Sequence, residues 1–209
     1  MSAALAPLYA ILDVDLTRAR GWAPLDLLDA WLDAGIRLVQ LRAKSLPFGP
    51  MLDLADAVIA RARAAEGTVI VNDRADVARL SDADGVHLGQ TDLGPAAVRQ
   101  MIGAGRLIGL STHTAAQVDA GLLQPIDYLA IGPVFATGSK AQPDPVVGLE
   151  GVRLAVQRAG ARPVVAIGGI TLTRAREVLD SGAASVAVIS DLLTDDPRAR
   201  ARAWVALIS

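Results

Sequence analysis

The chain lacks cysteine altogether, so it can form neither disulfide bonds nor thiolate metal sites, which fits a reducing compartment. Its only two histidines, His87 and His113, do not form a His-rich metal motif. Basic and acidic residues nearly balance, at 20 and 22, which argues against a surface for nucleic acid or anionic membranes. The apolar run near the N-terminus is short and interrupted by Pro7, unlike a secretory signal or a membrane span. These absences leave a cytoplasmic enzyme or binding protein, with neither nucleic acid nor membrane as a partner.

What the sequence does contain is a regular alternation of short apolar runs with longer Ala- and Leu-rich segments. This alternation is typical of βα units around a parallel sheet. Eight strands are predicted, at residues 8–13, 37–44, 68–73, 85–89, 107–113, 128–135, 163–169 and 185–190. Helices are predicted in the gaps, for instance at 25–34, 48–65, 171–181 and 197–208. Eight βα units favour one domain, spanning residues 1–209 and folded as a closed (β/α)8 TIM barrel, over the alternative of an open doubly wound sheet.

Two consecutive strands end in acidic residues, Asp73 in VIVND and Asp92 in GVHLGQTD. Ligands bind beyond the C-terminal ends of the strands in such folds, and adjacent strands lie only about 4.8 Å apart. The two carboxylates can therefore share one cation, and Mg²⁺ typically combines one or two carboxylates with phosphate oxygens of a substrate. The alternative is that both residues are helix N-caps.

The strand QLRAK carries Gln40, Arg42 and Lys44 at alternate positions, so Gln40 and Arg42 face the same side and Lys44 continues that face. Polar groups inside a barrel are costly unless they meet a ligand or each other. They are therefore predicted to meet a ligand. Arg42, Lys44 and Lys140 would supply positive charge to a diphosphate substrate, with displacement of pyrophosphate as the chemistry. A buried ion-pair network, for example between Arg42 and Asp73, is the alternative reading.

The late segments AIGGIT and AVIS follow strands seven and eight, where many barrels bind a phosphate group. Glycines there let backbone amides approach an anion, although a simple tight turn would also explain them. The longest irregular stretch, residues 136–148, is expected to act as a lid. His87 lies within an apolar strand and is expected to be structural, whereas His113 is a candidate acid or base.

The motifs QLRAK, VNDR, GVHLGQTD, IGLSTH, IGPVFATGSK, VGLEG and PVVAIGGIT, in this order, resemble the thiamine phosphate synthase family over nearly the whole chain. The resemblance implies a (β/α)8 barrel that joins hydroxymethylpyrimidine diphosphate to hydroxyethylthiazole phosphate and releases pyrophosphate. It implies Mg²⁺ as the cofactor and a dissociative step, in which the amino group of the pyrimidine stabilises the cation left behind. The implied partners are these two small molecules, and a homo-oligomer is an open expectation.

Carried over by position, the resemblance assigns three groups of residues. The contacts to the pyrimidine diphosphate are Gln40, Arg42, Lys44, Asn72, Ser111 and Lys140, of which Arg42, Ser111 and Lys140 are the catalytic residues. The Mg²⁺ ligands are Asp73 and Asp92, and the thiazole phosphate contacts are Thr137, Ser139, Gly169, Ile189 and Ser190.

The chain departs from the family at three positions, where the family often has Thr for Ser139 and Glu for both Ala43 and Thr91. Ser139 keeps a hydroxyl, and Ala43 faces away from Arg42. Thr91 lacks that carboxylate near the metal pair, which is expected either to weaken Mg²⁺ binding or to alter the order of the groups around the metal ligands. Two other functions remain open. One is a thiazole tautomerase of the same fold, which tends to lack the two carboxylates, and the other is a non-catalytic protein that binds a thiamine precursor.

Overall fold

The computed structural model describes residues 5–138 and 144–208. The predicted site residues Ser139 and Lys140 lie outside this part of the chain. The strands are β1 (Leu8–Asp13), β2 (Leu38–Arg42), β3 (Thr68–Asn72), β4 (Gly85–Leu88), β5 (Leu107–Thr112), β6 (Tyr128–Ile131), β7 (Val164–Ile167) and β8 (Ser185–Val188). The α-helices are α1 (Val14–Ala19), α2 (Pro24–Asp33), α3 (Phe48–Ala64), α4 (Ala75–Leu80), α5 (Pro95–Ile102), α6 (Ala115–Leu122), α7 (Gly148–Ala159), α8 (Ala175–Asp180) and α9 (Pro197–Ile208).

The eight strands form a closed parallel barrel in sequence order. Closure is made by β1 and β8, which pair in parallel with Tyr9 opposite Ala187. The (β/α)8 barrel is thus confirmed, and the alternative of an open sheet is wrong. All strand C-termini consequently meet at one face of the barrel, which is where the sequence places the polar residues.

Two apolar layers hold this architecture together. The outer layer lies between sheet and helices, and includes the fully buried side chains of Trp31 in α2 and Trp204 in α9. The inner layer fills the barrel with residues that alternate along the strands, as expected for a sheet with two buried faces. Its buried members are Tyr9, Ile11, Leu38, Ile70, Tyr128, Ala130, Val165 and Ala187.

A glycine makes room for Tyr128, one of the two tyrosines of the inner layer. A Cβ atom at Gly109 in β5 would lie 2.1 Å from Cζ of Tyr128 on the neighbouring strand. No side chain fits there, because that distance is far below van der Waals contact. Gly109 thus explains how Tyr128 can turn its whole ring into the barrel.

The predicted boundaries differ from the structure in two informative places. The sixth strand was expected to reach residue 135 but ends at Ile131, two residues before Pro133, which has no backbone N–H to donate to a strand ladder. The predicted helix at 171–181 is a 3₁₀ turn at Leu172–Arg174 followed by α8. Among the residues that the structure describes, no helix combines the length and apolarity needed to cross a bilayer.

Candidate active site

A cavity of about 460 Å³ opens at the C-terminal ends of the strands. Its walls combine apolar side chains from inside the barrel with polar side chains from the strand ends, as is usual for small-molecule sites. Eight predicted site residues line it, namely Gln40, Arg42, Asn72, Ser111, Thr137, Gly169, Ile189 and Ser190. The structure therefore brings predicted contacts of both substrates to one cavity, which Lys44 does not line.

Gln40 and Arg42 both point into this cavity, as the alternation along β2 predicts. Arg42 forms an ion pair with Asp13, whose side chain is 1% exposed. Asp13 also caps α1 by accepting a hydrogen bond from the Leu16 N–H at 3.0 Å. Burial of the carboxylate is compensated by these two partners, and they hold the Arg42 guanidinium at the cavity wall. The suggested pairing of Arg42 with Asp73 is wrong, since the partner is at the end of β1 instead.

Asp73 pairs with Lys44, with 3.2 Å between Oδ2 and Nζ. Together with Asn72 and Arg74 these residues line a small side pocket next to the main cavity. The backbone of Asp73 has a φ of +64°, a left-handed conformation that turns the chain out of β3. Lys44 thus lies at the rim with Asp73 and outside the main cavity.

Asp73 and Asp92 interact directly, as expected for a shared cation site. Burial is the largest cause that raises the pKa of the Asp73 carboxyl, and the hydrogen bond with Asp92 is the next largest. The positive charge of Lys44 lowers that pKa. Asp92 also accepts a hydrogen bond from the Gly89 N–H at 2.7 Å. The N-cap residues of α4 and α5 are Arg74 and Gly94, so the interpretation of both aspartates as helix caps is wrong.

These two carboxylates fit a hard divalent cation that completes its shell with water and phosphate oxygens. Two neighbouring carboxylates repel each other when both are ionised, and a positive charge between them stabilises that ionised state. Within residues 5–138 and 144–208, no three or more His, Cys, Asp or Glu side chains are grouped so that they could hold a metal ion. The protein alone would therefore supply only part of the coordination shell, which is typical of Mg²⁺ sites that bind a substrate phosphate.

The opposite side of the cavity is formed by the turns after β7 and β8. Gly168 and Gly169 have φ values of +102° and +65°, and a Cβ at Gly169 would lie 2.5 Å from the Ala136 carbonyl oxygen. The turn therefore packs closely against residues 133–136, where only glycine fits, and both glycines line the cavity. Together with Ile189 and Ser190 it forms a surface that we call the phosphate cradle.

Asp191 holds the phosphate cradle together, and sequence analysis missed it. Its carboxylate accepts hydrogen bonds from the Leu172 N–H at 3.1 Å and from Trp204 Nε1 at 2.8 Å. It also pairs with Arg200, with 2.6 Å between Oδ1 and Nη2. The carboxylate thus ties the turn after β7 to the turn after β8 and to α9. The only sequence signal was an acidic residue directly after SVAVIS.

The two histidines have different surroundings. His113 lies at the cavity wall, with Nδ1 2.6 Å from the Gly132 carbonyl oxygen and Nε2 3.5 Å from Asp144. Its role as an acid or base stays a prediction. His87 is buried inside the barrel, where its ring stacks on Tyr128 at a centroid distance of 5.6 Å. Both ring nitrogens form hydrogen bonds, to Tyr128 and Ser111, as expected for a structural histidine. The ring also forms part of the cavity wall.

Comparison with known proteins decides the family. The family model described as thiamine monophosphate synthase matches residues 8–192. The chain belongs to the thiamine monophosphate synthase family. The matched span includes all eight strands and every predicted site residue from Gln40 to Ser190.

Members of the thiamine monophosphate synthase family resemble this chain over its length. The thiamine-phosphate synthase of Koribacter versatilis is 44% identical over 206 residues, which cover 98% of this chain and 96% of that protein. The thiamine-phosphate synthase of Acidothermus cellulolyticus is 43% identical over 190 residues, covering 90% and 89%. A solved structure, the thiamine phosphate pyrophosphorylase from Pyrococcus furiosus, superimposes with a TM-score of 0.86 at 32% identity and covers 96% of this chain and 94% of that one.

Proposed function

We propose that this protein is a transferase that condenses 4-amino-2-methyl-5-hydroxymethylpyrimidine diphosphate with 4-methyl-5-(2-hydroxyethyl)thiazole phosphate. The products are thiamine phosphate and pyrophosphate. The observation that carries the proposal is one cavity with two unlike anion-binding sides. Arg42 forms one side of the cavity, with Lys44 and the carboxylate pair at the adjoining rim, and the glycine-lined phosphate cradle forms the other side. Membership of the thiamine monophosphate synthase family supports the same reaction.

The pyrimidine diphosphate is proposed to bind where β2, β3 and β5 end. Arg42 presents a planar fork for phosphate oxygens, and its pairing with Asp13 holds that fork in place. Lys44 adds a mobile positive charge at the rim. The further contacts proposed are Gln40, Asn72 and Ser111, all on the cavity wall, and Lys140, which lies outside the described residues.

Mg²⁺ is the proposed cofactor, held by Asp73 and Asp92. When bound, it would neutralise charge on the diphosphate and on the pyrophosphate that leaves. The support is the fit of two neighbouring carboxylates, one with a raised pKa, to a cation that also binds phosphate oxygens. The departure at Thr91 leaves only this pair, so the proposed affinity for Mg²⁺ depends on the diphosphate being present.

The proposed reaction is dissociative. The bond between the pyrimidine methylene carbon and the diphosphate oxygen breaks, and its electron pair leaves with pyrophosphate. The ring amino group stabilises the resulting cation, and the thiazole nitrogen then forms the new bond to the methylene carbon. Arg42 and Ser111 stabilise the charge that develops on the leaving group. Apolar walls such as Ile11 and Ile167 restrict water, which would otherwise capture the cation.

The thiazole phosphate is proposed to bind on the opposite side of the cavity. Its phosphate would contact the backbone of Gly169 and Ser190, both of which line the cavity. Thr137 and Ile189 border the same region, while Ser139 lies outside the described residues. This arrangement lets the two substrates meet at the centre of the cavity with their phosphate groups apart.

The test uses a pair of conservative variants. Arg42→Lys keeps a charge beside Asp13 but removes the fork, and Arg61→Lys makes the same change in the surface pair with Asp29. Lost charge-assisted hydrogen bonds should reduce kcat/KM for thiamine phosphate formation by about 10- to 100-fold in Arg42→Lys only. Equal activity in the two variants would remove Arg42 from the diphosphate site.

The remaining proposals concern the protein as a whole. We propose that it acts as one domain and in the cytoplasm, on small-molecule substrates and without nucleic acid or membrane as a partner. The absence of cysteine is consistent with that compartment. A homo-oligomeric state stays a prediction, which sedimentation of the purified protein would test.

A further inference from the structure

Five side chains form a continuous hydrogen-bonded chain across the inside of the barrel. Gln40 Nε2 lies 2.9 Å from the Tyr9 hydroxyl, which lies 3.0 Å from the Tyr128 hydroxyl. Tyr128 in turn lies 3.0 Å from Nδ1 of His87, and Nε2 of His87 lies 2.8 Å from Oγ of Ser111. The chain starts and ends at proposed contacts of the pyrimidine diphosphate, and the site as proposed so far does not use its three middle members.

The chemistry of the end group sets the direction of every bond. Gln40 Nε2 can only donate, so the Tyr9 oxygen accepts from it. The buried Tyr9 hydrogen also needs an acceptor, and the Tyr128 oxygen at 3.0 Å is the one that the contacts of Tyr9 offer. The hydrogen of Tyr128 is then directed to Nδ1 of His87, which must accept and hence carries no proton. The imidazole proton is left on Nε2, which donates to Ser111.

We propose that Tyr9, Tyr128 and His87 are positioning residues, which form a one-way hydrogen-bond relay that fixes Gln40 and Ser111 for the pyrimidine diphosphate. The inference rests on the proposed function. Because Ser111 Oγ accepts from His87, its own hydrogen is free to donate to a phosphate oxygen in the cavity. Because Gln40 gives its amino group to Tyr9, its carbonyl oxygen is left to accept from an amino group of the pyrimidine.

The surroundings keep the relay in this state. Tyr9 and Tyr128 are each 1% exposed, and burial raises the pKa of both phenols, so they remain protonated donors at neutral pH. The two rings pack edge to face at 6.2 Å, and the absence of a side chain at Gly109 admits the ring of Tyr128. The members of the relay are thus fixed by packing, and only the protons can be rearranged.

The first test is the tautomer of His87 in the substrate-free protein. Nitrogen-15 NMR of histidine-labelled protein distinguishes a protonated from an unprotonated ring nitrogen, and a His87→Gln spectrum separates His87 from His113. We expect the proton on Nε2 and none on Nδ1 at neutral pH. A proton on Nδ1, alone or in addition, would overturn the proposal. This measurement uses no substrate, so it stands even if the proposed reaction fails.

The second test reverses the relay from its far end. Gln40→Glu replaces the donor by an acceptor, so Tyr9 must donate to it and every bond should reverse, moving the His87 proton from Nε2 to Nδ1. Adding Tyr9→Phe to Gln40→Glu cuts the relay and should abolish this reversal. An unchanged tautomer in folded Gln40→Glu, or a reversal that survives Tyr9→Phe, would overturn the relay.

Transferase activity tests whether the relay positions Gln40 and Ser111 for the pyrimidine diphosphate. Tyr128→Phe keeps the ring and its packing but removes the hydroxyl that links Tyr9 to His87. We expect kcat/KM with the pyrimidine diphosphate to fall about tenfold, as for the loss of an orienting hydrogen bond, while the affinity for thiazole phosphate is unchanged. Unaltered kinetics in a folded variant would contradict a positioning role. A wild-type protein without transferase activity would instead count against the proposed function alone.

Discussion

Replacing Gly169 with alanine should disrupt the phosphate cradle, because this residue has a left-handed backbone and no room for a side chain. Its φ is +65°, and a Cβ there would lie 2.5 Å from the Ala136 carbonyl oxygen and 2.8 Å from Cβ of Phe135. The left-handed conformation costs roughly 1–2 kcal/mol for a residue with a Cβ atom. The close approach adds to this cost, since a backbone carbonyl can yield only if the chain moves.

Gly148→Ala is a matched control that separates the two effects. Gly148 has nearly the same φ, +64°, but a Cβ there would meet nothing within 4 Å. In both variants the left-handed backbone should lower the free energy of unfolding by about 1–2 kcal/mol, which lowers Tm by roughly 2–8 °C in a chain of this size. Only Gly169→Ala should also displace the backbone of the phosphate cradle, because only there would the new Cβ meet other atoms.

Isothermal calorimetry on both variants is the decisive assay. Gly169→Ala should lose most of its affinity for thiazole phosphate and keep its affinity for the pyrimidine diphosphate, whereas Gly148→Ala should bind both as the wild type does. If Gly169→Ala bound thiazole phosphate as tightly as Gly148→Ala, the phosphate would have to bind elsewhere in the cavity.

Three further predictions concern the metal pair and the barrel interior. Asp92→Ala should raise the Mg²⁺ concentration needed for half-maximal activity, and a normal metal titration would exclude Asp92 as a ligand. Gly109→Ala should lower the free energy of unfolding by about 1–3 kcal/mol through overpacking against Tyr128, whereas Gly105→Ala, with open space around it, should not; denaturant unfolding compares them. Because the folded state raises the pKa of Tyr9 and Tyr128, stability should fall as the pH rises above about 10, where tyrosine ionises in the unfolded chain. Absorbance that showed tyrosinate in the folded protein at that pH would refute the burial argument.

The strands were predictable because their signal is local. Short continuous apolar runs indicate strands buried on both faces, and the alternation of side chains along a strand then places Gln40 and Arg42 on the same face. The carboxylates of Asp73 and Asp92 were predictable for the same reason, since they stand where two consecutive strands end. Closure of the barrel was predictable only from the number of βα units, because no local pattern shows that the first and last strands pair.

The partners of these residues were not predictable, because they come from distant parts of the chain. Arg42 is 29 residues from Asp13, and Tyr9 is 119 residues from Tyr128. Nothing in a local pattern distinguishes one acidic strand end from another as the partner of an arginine. Asp191 was missed for a similar reason, since its role appears only when two successive turns and α9 are brought together.

Pyrophosphate release by the purified protein is the measurement that distinguishes a thiamine phosphate transferase from the alternatives. We expect release only when the pyrimidine diphosphate, thiazole phosphate and Mg²⁺ are all present, and loss of the signal when a chelator is added. Pyrophosphate release that needs neither the thiazole nor Mg²⁺ would contradict this expectation. The absence of any pyrophosphate release would also contradict it. Interconversion of thiazole isomers would then indicate a tautomerase, and substrate binding without any reaction would indicate a binding protein.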